Sequence, residues 1–371
     1  MFVDRNKKLF FSEGSVFYDT TQVYLCPMNY FLSLINICSE NLSQEEFKDI
    51  IKKSSKSEME ILYDELSCEN DDFKKLINLF LLRINSFGFG ELNLKLSREN
   101  TYIFKIDKPN LHLFYSQIFK KGLGFYIEEI FSGFLENFLS CVFKKNVECE
   151  ISKVSFSLVF NVKVKDEDYV LSNEKFNPVR QIGDFSLVVK KLVMTGGLVF
   201  SEGMFKVSDS NGVLLPYFFM LDLLEKMSSF DFFEKSFNSL GKMQGKASVD
   251  FHNNFGANLG DETYNFVYSL SDISGIGRFT YTDPKVLTVK NNLNLFYSKF
   301  YTDKVINLFK GHIYNMSLGI YSFSYNEFSN FDEVSLDTIE FKKIGDNLEL
   351  SDLEKNISKY LTTKILVSNF S

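Results

Sequence analysis

The chain has 371 residues, 45% of them hydrophobic and 24% charged, the balance of a folded protein with room for two or three domains rather than a disordered one. Its formal net charge of −7 argues against a nucleic-acid surface, which needs basic charge to offset phosphates. No run approaches the roughly eighteen apolar residues of a membrane span, and residues 1–8 lack the apolar core of a signal peptide, so a cytoplasmic protein is expected.

Residues 9–25 alternate in polarity, with turn signals at Glu13-Gly14 and Asp19-Thr20, and predict a short hairpin. Pro27 opens an apolar helix from Met28 to Ile37, because proline suits the first helical turn. Ser43-Gln44-Glu45-Glu46 is a capping box that starts a helix to about Ser54. A further helix is predicted over 71–86, with Phe73, Leu76, Phe80 and Ile84 near one face. Phe87-Gly88-Phe89-Gly90 then turns helix into strand, glycine being free to take positive φ. Strands are predicted at 89–96 and 100–106, helices at 110–121 and 125–143, and strands at 147–152 and 154–164. Gly133 lies inside the second of those helices; it costs up to about 1 kcal/mol against alanine there and marks close helix packing.

Lys165-Asp166-Glu167-Asp168 and Asn177-Pro178 read as surface turns, and Phe185 to Met194 as an added strand. The same order then runs again: a hairpin, helices at 216–227, 231–254 and 260–273, a turn at Gly275 and Gly277, and paired strands. Helices at 293–301 and 303–317 and strands at 319–326 and 334–344 follow. A second capping box, Ser351-Asp352-Leu353-Glu354, starts a helix to about Val367. Its Leu353, Ile357, Leu361 and Ile365 recur at i, i+4, i+8 and i+12, so it should dock on the body.

Landmarks recur in the same sequence order. Phe11-Ser12-Glu13-Gly14 answers Phe200-Ser201-Glu202-Gly203, and Pro27 stands as far beyond Gly14 as Pro216 does beyond Gly203. Asn78-Leu79-Phe80 precedes Gly88 by the same spacing with which Asn265-Phe266-Val267 precedes Gly275. Leu111 to Ser116 matches Leu293 to Ser298, and Gly133 matches Gly311. The offset between the copies drifts only slightly from the Gly14–Gly203 match to the Gly133–Gly311 match. Usage rich in Phe, Leu, Asn and Ser makes any one match cheap, but the preserved order points to duplication. The predicted division is a first domain over 9–165, a linker over 166–197 with an added strand, a second domain over 198–345, and a C-terminal helix over 346–371.

This order of motifs resembles the 4-vinyl reductase domain family. That pattern has a helical Gly-X-X-X-Gly, an apolar helix, Gly-X-Gly into strands, a glycine-containing helix, and strands with a Glu-X-X-Cys…Cys-X-Phe signature. Gly241-Lys242-Met243-Gln244-Gly245 matches the first element, in the second copy alone. Gly88/Gly90 and Gly275/Gly277 match the turn, and Gly133 and Gly311 the helix glycine. Glu150 with Phe160, and Glu327 with Phe341, stand where the last signature belongs. The family is similar in fold to the small subunits of the TRAPP vesicle-tethering complex and to haem-based nitric-oxide sensor domains.

The resemblance implies an α+β fold of two similar domains, each an antiparallel sheet covered by helices, related by a pseudo-two-fold and followed by the C-terminal helix. It implies an apolar pocket for a small molecule or acyl chain, with candidates Phe125, Phe131, Gly133 and Phe134 in one copy and Phe309, Gly311 and His312 in the other. It implies a protein partner or homodimerisation as well. The metal signature is not retained: Lys153 and Asn330 occupy the first cysteine position, and no cysteine precedes Phe160 or Phe341. Zinc prefers four thiolate or imidazole ligands. Cys141, Cys149 and Glu150 could form a partial site, against the plainer reading of buried structural cysteines. The five cysteines are odd in number and all precede residue 150, which suits reduced thiols.

His312, after Gly311 on an apolar helix, is either an axial haem ligand or a satisfied core histidine. No Gly-X-Ser-X-Gly, Walker loop or His-Glu-X-X-His occurs. Glu128-Glu129 and Asp332-Glu333 read as surface charge. With 42 phenylalanines and no tryptophan, a large aromatic core or cavity is within reach, although compositional bias accounts for most of the excess. The expected function is non-enzymatic, without cofactor: a module that binds a small molecule or lipid, or a protein. The alternatives are a tethering-type scaffold with filled pockets, and a haem- or ligand-dependent sensor.

Overall fold

The structure is a computed structural model. It describes residues 9–12, 15–18, 21–68, 72–98, 100–107, 110–119, 125–154, 157–172, 198–201, 204–207, 210–254, 278–283, 286–290, 304, 308, 311, 312, 315, 321–322, 333–337, 342–343 and 351–361.

Three strands open the chain, β1 (Leu9–Ser12), β2 (Ser15–Tyr18) and β3 (Thr21–Pro27), paired antiparallel in sequence order. The predicted hairpin is therefore a meander, because the chain reverses after β1 and again after β2. Pro27 ends β3 and Met28 begins α1 (Met28–Asn41), buried along most of its length. α2 (Gln44–Ser54) starts at the predicted box: Glu46 N–H donates to the Ser43 hydroxyl and Ser43 N–H to the Glu46 carboxylate. α3 (Lys56–Ser67) is not legible in the sequence, because its polar start, Lys56-Ser57-Glu58, breaks the apolar period. Asp72 caps α4 (Phe73–Ser86) by accepting from Lys74 N–H.

Beyond the Gly-X-Gly turn come β4 (Leu92–Arg98), β5 (Thr101–Ile106), α5 (Asn110–Phe119), α6 (Tyr126–Phe143), β6 (Lys145–Val154) and β7 (Ser157–Asp168). The four strands form an antiparallel sheet in the order β4-β5-β7-β6. Tyr102, Phe104 and Ile106 alternate inward from β5, the period of a sheet with one covered face. α6 covers that face, and every residue from Ile127 to Cys141 is buried. Glu128 and Glu129 are accordingly not surface charge: they are 1% and 3% exposed, because α6 is enclosed on all sides rather than along one stripe. β7 also runs to Asp168, so the supposed surface turn at 165–168 is strand. The chain then lies against α3, where Tyr169 hydroxyl and Ser172 N–H donate to Glu60.

The second half contributes β8 (Leu198–Ser201), β9 (Met204–Val207), β10 (Ser210–Pro216), α7 (Tyr217–Met227) and α8 (Asp231–Asn254). It also contains β11 (Arg278–Asp283), β12 (Val286–Lys290), β13 (Tyr321–Ser322), β14 (Glu333–Asp337) and β15 (Lys342–Lys343). β11, β12 and β14 pair as one sheet, and β13 with β15 as another. α9 (Asp352–Leu361) follows its predicted box, with Ser351 N–H donating to Glu354, and docks on α1 and α8. The predicted strand at 185–194, the helices at 260–273 and 293–301, the turn glycines Gly275 and Gly277, and Phe309 lie outside the described residues. Among the described residues no helix is long and apolar enough to cross a membrane.

Aromatic rings fill the first half. Phe80 stacks on Phe138 at 4.1 Å between centroids, Phe89 lies 5.7 Å from Phe31 and 5.8 Å from Phe131, and Phe131 lies 5.9 Å from Phe160. Gly133 sets how closely α6 approaches α2. A Cβ there would stand 2.8 Å from Ile51 Cγ2 and 3.0 Å from Ser55 Oγ. Ile51 is fully buried and has nowhere to retreat. Gly133→Ala should therefore cost about 1–3 kcal/mol through overpacking, less the helix-propensity gain of up to about 1 kcal/mol. The expected reading is a lower urea midpoint with an unchanged slope; an unchanged midpoint would show that α2 yields freely.

Candidate functional site

One sheet runs through both halves of the chain: β3 lies beside β10 in a six-stranded antiparallel order β1-β2-β3-β10-β9-β8. The central ladder pairs Pro27 with Gly212, Cys26 with Val213, Leu25 with Leu214, Tyr24 with Leu215 and Val23 with Pro216. The shift in numbering that carries Pro27 onto Pro216 maps this ladder onto itself with Leu25 and Leu214 at its centre. The two prolines share one backbone conformation, φ −56° with ψ 134° and φ −56° with ψ 138°, and each turns a strand directly into a helix. The helices then cross the seam, α1 against α8, and α7 against α2 and α3.

Polar contacts cross the seam too. Leu214 N–H donates to the Phe87 carbonyl at 2.9 Å. This gives the Gly-X-Gly turn its purpose: Gly88 at φ 83° and Gly90 at φ 134° let the chain present that carbonyl to β10 and then swing away into β4. Glu58 of α3 accepts from Phe218 N–H at 3.0 Å, and Phe219 N–H also bonds it. It thus caps α7 from the other half, where Pro216 supplies no side-chain cap. Burial raises the Glu58 carboxyl to about 8, the neighbouring charge of Glu65 adds to the rise, and the two N–H donors oppose it.

Between α1, β3, α7 and α8 lies a small cavity lined by Tyr24, Tyr30, Tyr217, Met220, Leu221, Phe237 and His312, with room for about one water molecule. His312 Nδ1 is 2.9 Å from the Phe237 carbonyl, which can only accept, so Nδ1 carries the ring proton. Nε2 is then the acceptor for the Tyr30 hydroxyl at 3.0 Å. Burial lowers His312 to about 4 against the weaker upward pull of the Phe237 carbonyl, so the ring is neutral at physiological pH. Gly241 admits the ring: a Cβ there would stand 2.7 Å from His312 Nδ1. This places Gly241, the first glycine of the Gly-X-X-X-Gly, against His312, while Asn238 of the same helix lies beside Gly311.

The structure separates the remaining candidate residues. Phe131, Gly133 and Phe134 sit together, buried where α6 meets the first-half core, and Phe134 meets Phe219 of α7 edge-on at 5.0 Å. Phe125 is half-buried at the start of α6. Gly311 and His312 lie on the far side of the seam. Cys141 and Cys149 are buried free thiols pushed by burial to about 12, and Glu150 points to the outer face of β6, away from Cys149. Among the described residues no group of His, Cys, Asp or Glu could hold a metal ion. Sequence reading missed Tyr24, Tyr30, Tyr217 and Glu58. Comparing the copies position by position would have exposed Tyr24 against Val213 and Tyr30 against Phe219, whereas Glu58 sits in a helix that left no periodic signal.

The site thus belongs to an α+β protein with antiparallel sheets, helices over them, and a seam where β3 meets β10. No family model matches the chain, and no curated protein matches it. Among solved structures, subunit 3 of a trafficking protein particle complex from Naegleria fowleri, covalently bound to palmitic acid, is similar at 18% identity. The match covers 38% of this chain and 95% of that one, with a TM-score of 0.30.

The raised Glu58 carboxyl has a definite consequence. Because the folded state holds this proton more tightly than the unfolded chain, the contribution is complete below the ordinary value of 4.5 and is lost as pH rises through about 8. Glu58→Gln keeps an oxygen for the α7 N–H groups and has nothing to titrate. Denaturant unfolding followed from pH 5 to 9 should show a falling stability in the wild type and a flatter course in the variant; parallel courses would exclude Glu58 as the titrating group.

Proposed function

We propose that the chain is a non-enzymatic protein-interaction scaffold: two halves of tethering-subunit type, paired with each other about a pseudo-two-fold within one polypeptide. The observation that carries this reading is the filled interior around α6. Where the family resemblance implies a pocket, Phe131, Phe134 and Phe138 are buried against Phe89, Phe160, Phe219 and Phe80, and Ile51 and Ser55 occupy the space beside Gly133. A core this dense offers surface and rigidity to a partner rather than volume to a ligand.

The pseudo-two-fold is supported by the self-mapping ladder, the matched prolines and the crossed helices. A dimer-like seam inside one chain leaves the remaining faces of the sheets and helices for other proteins. In this reading the four-stranded sheet keeps a charged outer face, with Lys165 2.6 Å from Glu148 and Lys163 3.9 Å from Glu150.

Two measurements test the proposal. Residues 1–172 and 198–371, expressed together as separate chains, should co-purify one to one; failure to associate would remove the paired-halves reading. Native mass spectrometry of the full chain, with organic extraction, should return the polypeptide mass alone. A stoichiometric lipid or small molecule would instead establish the binding-module function.

A further inference from the structure

We propose that the Tyr30–His312 contact is an acid-operated latch between the two halves of the chain, present on one side of the seam and replaced by an apolar pair on the other. The same shift that maps the central ladder onto itself carries Tyr30 to Phe219, and the shift that relates Gly133 to Gly311 carries Phe134 to His312. Both pairs are in contact: Tyr30 with His312 through the hydrogen bond at 3.0 Å, and Phe219 with Phe134 edge-on at 5.0 Å. The correspondence extends around the cavity. Tyr24, Tyr217, Met220 and Leu221 answer to Val213, Met28, Phe31 and Leu32. Every polar member of this comparison therefore has an apolar counterpart, and all of the counterparts are buried.

The backbone around the two pairs is held alike. Asn137 donates to the Gly133 carbonyl at 3.1 Å, and Asn315 donates to the Gly311 carbonyl at 2.8 Å. The polar side adds hydrogen bonds that the apolar pair lacks. His312 is neutral, its Nδ1 proton committed to Phe237 and its Nε2 to the Tyr30 hydroxyl. Protonation makes both nitrogens donors, so Tyr30 must turn its own proton elsewhere. It also puts a full charge into a site walled by Phe237, Met220 and Leu221. Stacking on Phe237, at 4.1 Å between centroids, offsets part of that charge.

Among the described residues, the titratable groups that line the cavity with the ring are Tyr24 of β3, Tyr30 of α1 and Tyr217 of α7. On α8, Lys242 follows Gly241 in the chain and is paired at 2.8 Å with Glu354 of α9. The tyrosines are phenols that stay protonated in acid, and burial raises Tyr30 further, so among these groups His312 takes up the acid proton at the latch. A folded-state value near 4, against 6.5 for an exposed histidine, makes opening roughly 20- to 30-fold more favourable at pH 5 than at pH 7.

Hydrogen exchange of the full chain at pH 5 and pH 7, corrected for intrinsic rates, reads the latch in peptides from α1 around Tyr30 and from α8 around Phe237. The expected result is that roughly 20- to 30-fold rise in opening in the wild type. It should be absent from the double variant Tyr30→Phe/His312→Phe, which installs the pair already present at Phe219 and Phe134. An equal rise in the double variant, or no rise in the wild type, overturns the proposal. Should the double variant fail to fold, the histidine resonances of the wild type decide: loss of the folded His312 signals without in-place titration supports the latch, and ordinary titration near 6.5 with the Tyr30 contact intact overturns it. The latch rests on the paired halves of the proposed function and not on its scaffold role, since lipid binding or a missing partner would leave the exchange result unchanged.

Discussion

The pairing of β3 with β10 is the constraint on which the rest of the molecule depends. A strand pair in the middle of a sheet normally has one face on a core and the other toward water. Here Val23 to Cys26 and Val213 to Pro216 are buried without alternation, so the ladder is enclosed on both faces. Both strands then turn into helices at a proline, and those helices are the ones that cross to the opposite half. A slip of one residue in this ladder would reverse the facing of every side chain along it. It would also carry Leu214 N–H away from the Phe87 carbonyl and Phe218 N–H away from Glu58. The register of this one short ladder thereby fixes the placement of two halves.

α6 shows how so enclosed a helix tolerates charge. Glu136 is 2% exposed, yet one oxygen accepts from Cys149 N–H at 2.8 Å and the other lies 2.8 Å from Lys52. Ser140 accepts from Val147 N–H, and Lys48 donates to the Cys149 carbonyl. The outward backbone groups at 147 and 149 of the edge strand β6 are thus occupied by side chains of the helices above it, one way of blunting an edge. Asn85 does the same for the opposite edge, donating to the Leu92 carbonyl and accepting from Leu92 N–H. Glu128 lies 2.9 Å from His112, and Glu129 accepts from Gln44 while burial raises its carboxyl. These acids serve packing and edge protection.

Much of the fold was legible in the sequence, and the reason is visible at particular residues. Ser43, Ser351 and Pro27 act on their immediate neighbours in the chain, so their capping and helix-starting roles survive in a linear reading. Gly88 and Gly90 announced a turn, although what the turn reaches, Leu214, lies far along the chain in the other half. Glu128 and Glu129 misled for the same reason: charge in a helix normally marks a solvent face, and nothing local discloses that sheet, α2, α3 and α5 enclose this one. The candidate site was half legible. His312 stood out as one of three histidines, but its partners Tyr30 and Phe237 come from other elements, and its neutrality is a product of burial. Tyr30 stands out only when the two halves of the sequence are compared, and Glu58 has no signal at all.

That alignment also bears on why a polar cluster persists inside an aromatic core. Phe134 against Phe219 shows that the same backbone geometry accepts a purely apolar pair, which asks nothing of hydrogen bonding. Tyr30, Tyr24 and His312 need matched donors and acceptors in a space with room for about one water molecule, and any mismatch there leaves a buried polar group unsatisfied. Gly241 adds a further demand, since an alanine at that position would collide with the ring. The Tyr30–His312 arrangement carries hydrogen-bond requirements that the Phe134–Phe219 pair does not. The physical difference between the two pairs is that one can take up a proton and the other cannot. The Phe134–Phe219 pair joins the halves without a titratable group, and the Tyr30–His312 pair joins them with one.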